Sequence, residues 1–129
     1  MELAFTEVNV GLLARRVGQL AKLIHKDACD HGLWEAFRKE MEAFTDLPDD
    51  IRLRAGRYYA TRVVAGEVSE LRAASEDKAH YADEAADVII SMLSTMVEMD
   101  IDVEAALYAK IMFNHTRPWK HEENNDGQK

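Results

Sequence analysis

Apolar residues recur at intervals of three and four along most of the chain, and this helical spacing restricts the fold more than any other feature. The first such stretch runs from about Glu7 to Ala28, and Gly32 separates it from a second, short helix predicted over Leu33–Phe44. The segment Asp46–Asp49, with an acidic N-cap and a proline in the first turn, is typical of a helix start. It predicts a third helix that ends near Ala74.

The fourth predicted helix, from about Lys78 to Met99 with Asp77 as its cap, is apolar on nearly every side between Ala85 and Val97. A helix of this kind must be buried around most of its circumference. In so short a chain, we expect either a subunit interface or a central place in a helical bundle to provide that burial.

Asp100 and Asp102 predict the start of a fifth helix, which ends near Arg117. No stretch predicts a strand, so the expected fold class is all-α. Because 129 residues is a single-domain length, residues 1–120 are expected to form one domain. The polar stretch 121–129 is expected to be a disordered tail.

Charge and cysteine content exclude several classes of function. A net charge of −8 argues against binding a nucleic-acid polymer. Cys29 is the only cysteine, so an internal disulfide cannot form. The first ten residues lack the basic start and apolar stretch of a signal peptide, and no apolar run is long enough to span a bilayer. We therefore expect a cytoplasmic protein without a membrane partner.

Two acidic pairs carry the clearest chemical signal. Glu67 and Glu70 lie three residues apart, as do Glu84 and Asp87, so each pair projects from one face of its helix. Thirteen residues separate the pairs, enough to end one helix and return antiparallel beside it. Because apolar residues flank both pairs, four carboxylates would converge next to the core and repel one another. A hard dication such as Mg²⁺, which prefers oxygen ligands, would remove that conflict.

Two other interpretations of the acidic pairs stay open on spacing alone. Pairs at this spacing are often parts of solvated helix faces. In that case the protein would be a non-catalytic helical interaction module that dimerises through its fourth helix. A di-iron carboxylate bundle would need Glu-x-x-His pairs, and neither pair has the histidine.

Lys110, Asn114 and Arg117 project from one side of the fifth helix, because their offsets are four and three. Two positive charges and an amide suit a polyphosphate. An ordinary basic helix end, favoured by the helix dipole, is the alternative.

His25, Trp34 and Phe37 are candidates for the walls of a base pocket, since aromatic rings stack on bases. The alternative is that they are core aromatics. His80 and His115 are expected to be surface residues.

The two acidic pairs with their interval resemble the signature of the all-α nucleoside triphosphate pyrophosphohydrolases. This superfamily includes MazG, the dCTP pyrophosphatases, the dimeric dUTPases and the phosphoribosyl-ATP pyrophosphohydrolases. The wider segments Gly66–Leu71 and Asp83–Ile90 resemble the MazG and dCTP pyrophosphatase branches most. The Lys110–Arg117 pattern is similar to their phosphate-contacting helix, and the His25–Phe37 pattern to a base-pocket segment. The resemblance covers about residues 20 to 119.

The resemblance implies a MazG-like bundle of four to five helices that oligomerises through its central acidic and apolar helices, as a homodimer or a dimer of dimers. It also implies cleavage between the α and β phosphates of a nucleoside triphosphate, with Mg²⁺ as cofactor and Mn²⁺ as a possible substitute. The implied residue roles fall into three groups: metal ligands Glu67, Glu70, Glu84 and Asp87; a catalytic base, Glu67 or Glu70; and substrate contacts Lys110, Asn114, Arg117, His25 and Trp34.

Two departures from the pattern leave the preferred base open. The interval from Trp34 to Glu67 is longer than in the compact dCTP pyrophosphatases and is rich in arginine, and Ser91 stands where an aromatic residue often follows the second acidic pair. The biological role also stays open among dNTP pool control, house-cleaning of aberrant nucleotides and alarmone hydrolysis.

Overall fold

The structure is a computed structural model that describes residues 2–119, and within that range its regular elements are all helices. In chain order they are α1 (Glu7–Asp30), α2 (Glu35–Met41), a 3-10 helix (Glu42–Phe44), α3 (Asp49–Ala73), α4 (Lys78–Glu98) and α5 (Val103–Thr116). The all-α prediction is confirmed, and each predicted helix lies within a few residues of its expected bounds. The stretch 121–129, predicted to be a tail, lies outside the described residues.

Gly32 ends the first helical stretch as its position predicted. Its φ of 79° lies in the left-handed region, which glycine adopts without steric cost. The Gly32 amide donates to the carbonyl of Cys29, and the Leu33 amide donates to that of Ala28, so two carbonyls at the end of α1 are satisfied. The chain then turns at once into α2.

The start of α3 differs from the prediction. Pro48 is not in the first turn but is itself the N-cap, with an extended ψ of 147°, and its side chain makes no capping hydrogen bond. The acids of the first turn are Asp49 and Asp50. Their carboxylates interact favourably with the positive end of the helix dipole. Acids in the first turn thus take the place of the expected acidic N-cap.

Aspartates begin the last two helices. The Asp77 carboxylate accepts hydrogen bonds from the amides of Ala79 and His80, and that of Asp102 accepts from Ala105. Asp100 lies in the turn before α5 with a φ of 58°, a left-handed conformation that aspartate tolerates better than most residues.

The described chain comprises two compact units. The larger spans Gln19–Ile101 and contains α3 and α4, which pack along each other. Because only four residues connect them, the two helices form an antiparallel hairpin. The smaller unit combines residues up to Gly18 with those from Asp102 onward.

Trp34 fills the centre of the larger unit. It is fully buried, and its indole N–H donates to the Ser94 hydroxyl at 2.9 Å. The buried residues of α4 are mostly small and polar, namely Ser91, Ser94 and Thr95, with Leu93 as the one large apolar side chain among them. The hydroxyls of Ser91 and Thr95 donate to carbonyls of their own helix. Small residues on this face leave room for the indole.

Within the single chain, the large apolar residues of α4 are not buried on most sides. Ile89 is 61% exposed, Ile90 44% and Met92 40%, whereas Leu93 is buried. The expected central place in a bundle is therefore not seen for these side chains. Their burial in a subunit interface stays a prediction.

In the smaller unit, Val10, Ala14 and Val103 are buried, and the Phe5 ring stacks on His115 with 3.9 Å between the ring centroids. Among the described residues, no helix is both long and apolar enough to cross a membrane.

Candidate active site

The helical hairpin brings three of the four predicted acids together. Glu67 comes from α3, and Glu84 and Asp87 come from α4, one turn apart on the same face. One carboxylate oxygen of each lies within 4.8 Å of the other two. We call these three residues the acidic trio. Its spacing fits a single cation held by oxygen ligands from two helices.

Two oxygens of the acidic trio are buried and have no hydrogen-bond partner among the described residues. They are Oε2 of Glu67 and Oε2 of Glu84. A buried carboxylate oxygen without a donor costs free energy, because it has lost water and gained nothing in return. A bound cation would supply the missing partner, and a set of carboxylate oxygens suits a hard ion such as Mg²⁺ or Mn²⁺.

The carboxyl of Glu67 is held in an unfavourable environment for its charge. Burial raises its pKa, and the neighbouring carboxyls of Glu70, Asp87 and Glu84 raise it further. Several acids therefore oppose one another's ionisation around one point, as the sequence predicted.

Glu70, the fourth predicted ligand, lies outside the acidic trio. Its side chain is exposed, although it is close enough to Glu67 to contribute to the raised pKa there. His80 is exposed, as predicted, and its Nε2 is also 3.3 Å from Oε1 of Glu84. Sequence reasoning missed this contact, although the i, i+4 spacing of the two residues is a signal that could have indicated it.

A cavity of about 270 Å³ adjoins the acidic trio. Glu67 and Asp87 form one part of its wall, Ser91 and Ser94 contribute polar groups, and the rest is mainly apolar, including Leu33. Apolar walls with a few polar groups are typical of a pocket for a flat organic ring. The carboxylates and the cavity together can bind a cation next to an organic ligand.

A family model described as phosphoribosyl-ATP pyrophosphohydrolase matches residues 33–111, more than half of the chain and including both acidic pairs. The chain belongs to this family. This family is part of the MazG-like all-α pyrophosphohydrolase superfamily, so the resemblance drawn from the acidic pairs is confirmed. The protein is thus a pyrophosphohydrolase, a hydrolase that acts on a nucleotide phosphoanhydride. Searches of curated proteins and of solved structures gave no match.

The pyrophosphohydrolase holds its two predicted base-pocket residues in other contacts. Trp34 is fully buried against Ser94, and His25 shares a 2.8 Å hydrogen bond between its Nε2 and Oε1 of Glu98. Trp34 still lies behind the cavity wall, because Ser94 lines that cavity. A direct contact of either residue with a base stays a prediction.

Lys110, Asn114 and Arg117 belong to the smaller unit and cluster around one aromatic ring of α5. Nε of Arg117 donates to Oδ1 of Asn114 at 3.0 Å. The Lys110 ammonium and the Arg117 guanidinium both lie over the ring of Phe113, at 5.1 and 5.7 Å from its centroid. The three residues do form one cationic group as the spacing predicted, and their contact with phosphate stays a prediction.

Glu98 is a residue that sequence reasoning missed. Its carboxylate is only 9% exposed, accepts two hydrogen bonds from Arg38 at 2.6 and 2.9 Å, and contacts His25. Cys29 lies within hydrogen-bond distance of both Arg38 and His25. We call these four residues the Glu98 cluster. No sequence signal could have found it, since Glu98 is 73 residues from His25 and 60 from Arg38.

Proposed function

We propose that this pyrophosphohydrolase uses Mg²⁺, or Mn²⁺ in its place, to cleave the bond between the α and β phosphates of a nucleoside triphosphate. The products are the monophosphate and pyrophosphate. The observation that carries the proposal is the pair of buried, unpartnered oxygens of Glu67 and Glu84 in a trio that adjoins a cavity of about 270 Å³. Among the described residues, no cationic side chain other than His80 lies within ion-pair distance of the acidic trio.

In this proposal Glu67, Glu84 and Asp87 would hold the cation, and Glu70, the fourth predicted ligand, lies next to Glu67. When bound, the divalent ion supplies positive charge for the phosphates and for the charge that develops as the bond breaks. Because Glu67 and Asp87 line the cavity, a cation held there would bind the phosphates next to the cavity that would receive the base.

Glu70 is the better placed of the two proposed bases. Because it is exposed and lies outside the acidic trio, its carboxylate is free to accept a proton from a water molecule and to orient that water toward the phosphate. Glu67 instead provides one of the three converging carboxylate oxygens, so the proposal assigns it to the cation as a ligand.

The remaining predicted contacts complete the proposal. Lys110 and Arg117 would neutralise the polyphosphate, and Asn114 would hydrogen-bond to sugar or phosphate. His25 and Trp34 would shape the base pocket. The exposed apolar side chains of α4 favour a homodimer or a dimer of dimers. We propose a cytoplasmic role in nucleotide-pool control or house-cleaning.

A panel of substrates tests the proposal. Purified protein with Mg²⁺ is assayed for pyrophosphate release from the common and modified nucleoside triphosphates, and from phosphoribosyl-ATP as a separate arm. We expect release from at least one triphosphate and its loss on removal of Mg²⁺ with EDTA. Release from phosphoribosyl-ATP alone would overturn the proposed substrate class, and release that is insensitive to EDTA would overturn the metal dependence.

A further inference from the structure

The larger unit contains a second cavity, of about 340 Å³, enclosed by α2, the start of α3 and the end of α4. It shares no lining residue with the cavity beside the acidic trio. We propose that this second cavity is a non-catalytic binding site for a nucleoside monophosphate whose base carries an amino group. The proposal goes beyond the hydrolytic function and does not depend on it.

The shape of the second cavity suits a flat ring. Phe37, Met41, Leu53 and Met99 give it an apolar surface. Gly56 is buried in the first third of α3, and a Cβ at that position would meet only the Met99 sulfur, at 4.0 Å. The missing side chain therefore keeps the space open. The volume lies at the lower end of the range for small-molecule pockets, about 300–1,000 Å³.

Two arginines of α3 supply positive charge at the wall of the second cavity. The Arg57 guanidinium has no hydrogen-bond or ion-pair partner among residues 2–119, and the Arg52 guanidinium pairs only with the exposed Asp49. A third arginine, Arg38, is already committed to Glu98. Arg57 and Arg52 are thus the groups available for a phosphate, which guanidinium groups bind with paired hydrogen bonds.

Two unpaired acids at the same wall narrow the class of ligand. Three acids line the second cavity. Glu98 is paired with Arg38, whereas the carboxylates of Glu42 and Asp100 have no partner among the described residues. They would repel a bare inorganic anion, but their oxygens can accept hydrogen bonds from an exocyclic amino group. The matching ligand carries a phosphate for the two arginines, an amino group for the two acids and a flat ring for the apolar surface. AMP has all three parts.

Isothermal titration calorimetry with AMP tests the proposal on the full chain in EDTA, so that the acidic trio contributes no metal-dependent binding. We expect saturable binding that Arg57→Ala weakens at least about tenfold. Gly56→Leu, which would fill the cavity, should abolish it. Arg54→Ala is the matched control, because Arg54 is an exposed arginine of the same helix that does not line the cavity; it should bind like the parent protein.

Two further titrations define the ligand class. IMP, which has a carbonyl in place of the amino group, should bind several-fold more weakly than AMP, and inorganic phosphate should give no detectable binding. The proposal is overturned if AMP does not bind, if Arg54→Ala and Arg57→Ala weaken it equally, or if phosphate or IMP binds as well as AMP. Because Arg57 is exposed, its variant keeps the test decisive even where Gly56→Leu does not fold.

Discussion

Helix α4 contributes two acids to the acidic trio near its start and one acid, Glu98, to the Glu98 cluster at its end, and the two sites differ in how their charge is balanced. Both clusters place three potential metal-binding atoms within 4.8 Å of one another. In the Glu98 cluster, Arg38 donates to both carboxylate oxygens and His25 adds a further contact. In the acidic trio, two carboxylate oxygens are buried without any donor among the described residues.

The pKa values differ in the same way. Burial alone would raise the pKa of Glu98, but the hydrogen bonds from Arg38 and His25 outweigh it and lower the pKa. For Glu67, burial and the neighbouring carboxyls all act to raise the pKa. The Glu98 carboxylate is also at the negative end of the helix dipole, where it needs a cationic partner most. The chain thus provides the counter-charge at one end of α4, and in the proposed function a cation provides it at the other.

The largest expected effect is on catalysis, from Glu84→Gln. Removing one carboxylate of the acidic trio should lower Mg²⁺-dependent pyrophosphate release at least about 100-fold, because the cation loses a ligand and its position. The protein should stay folded, since no internal partner of Glu84 other than His80 is lost.

Asp83→Asn is the matched control for that substitution. Asp83 is the adjacent acid, exposed and outside the acidic trio, so this variant should keep activity within about twofold of the parent. Equal losses in the two variants would show that overall negative charge, not ligation, matters at this end of α4.

A smaller effect, on stability, is expected at the other end. Arg38→Met should lower the free energy of unfolding by about 2 kcal/mol, because it leaves the buried Glu98 carboxylate with one partner. Urea unfolding measures this, with Arg54→Met as a control expected to change stability by less than about 0.5 kcal/mol. If Arg38→Met is as stable as the parent, the charge of Glu98 is not balanced in the way described.

The sequence indicated the helices because the residues that begin and end them act locally. Gly32, Asp77 and Asp102 act through their own backbone neighbours, so their effects are visible from residue type and position. The convergence of Glu67 with Glu84 was also predictable, since a four-residue connection between two helices forces a hairpin.

The buried face of α4 and the Glu98 cluster could not be predicted, because both are tertiary. Hydrophobicity alone favours burial of Ile89 and Met92. The buried face of α4 instead carries Ser94, whose hydroxyl accepts a hydrogen bond from Trp34, 60 residues away in the sequence. The second cavity likewise draws its walls from three separate helices. Nothing in the local pattern of any one helix indicates it.

The smallest expected effects are opposite responses to pH in protein freed of divalent ions. The folded-state pKa of Glu67 is above the ordinary value of 4.5, so its contribution to stability is present below that pH and is lost as pH rises through the folded-state pKa. The folded-state pKa of Glu98 is below 4.5, so its contribution is present above that pH and is lost as pH falls.

Urea unfolding between about pH 3.5 and 7 in EDTA separates the two responses. In the parent protein, the free energy of unfolding should fall as pH rises through the folded-state pKa of Glu67. Glu67→Gln should reduce this fall by at most about 1 kcal/mol, because solvent screens the site, and should leave the fall at low pH unchanged. If the free energy of unfolding falls equally with rising pH in the parent and the variant, the environment assigned to Glu67 is contradicted.

A titration with Mn²⁺, followed by NMR of the backbone amides, tests the contrast between the two clusters most directly. Paramagnetic broadening should be strongest at Glu67, Glu84 and Asp87 and their helix neighbours. It should be weaker at the amide of Glu98, which lies about 16 Å farther along α4 than Asp87 at the usual helical rise. Glu84→Gln should shift the broadening to higher Mn²⁺ concentrations. Broadening that begins at the Glu98 cluster, or none at either end of α4, would contradict the claim that the acidic trio is the cation site of this pyrophosphohydrolase.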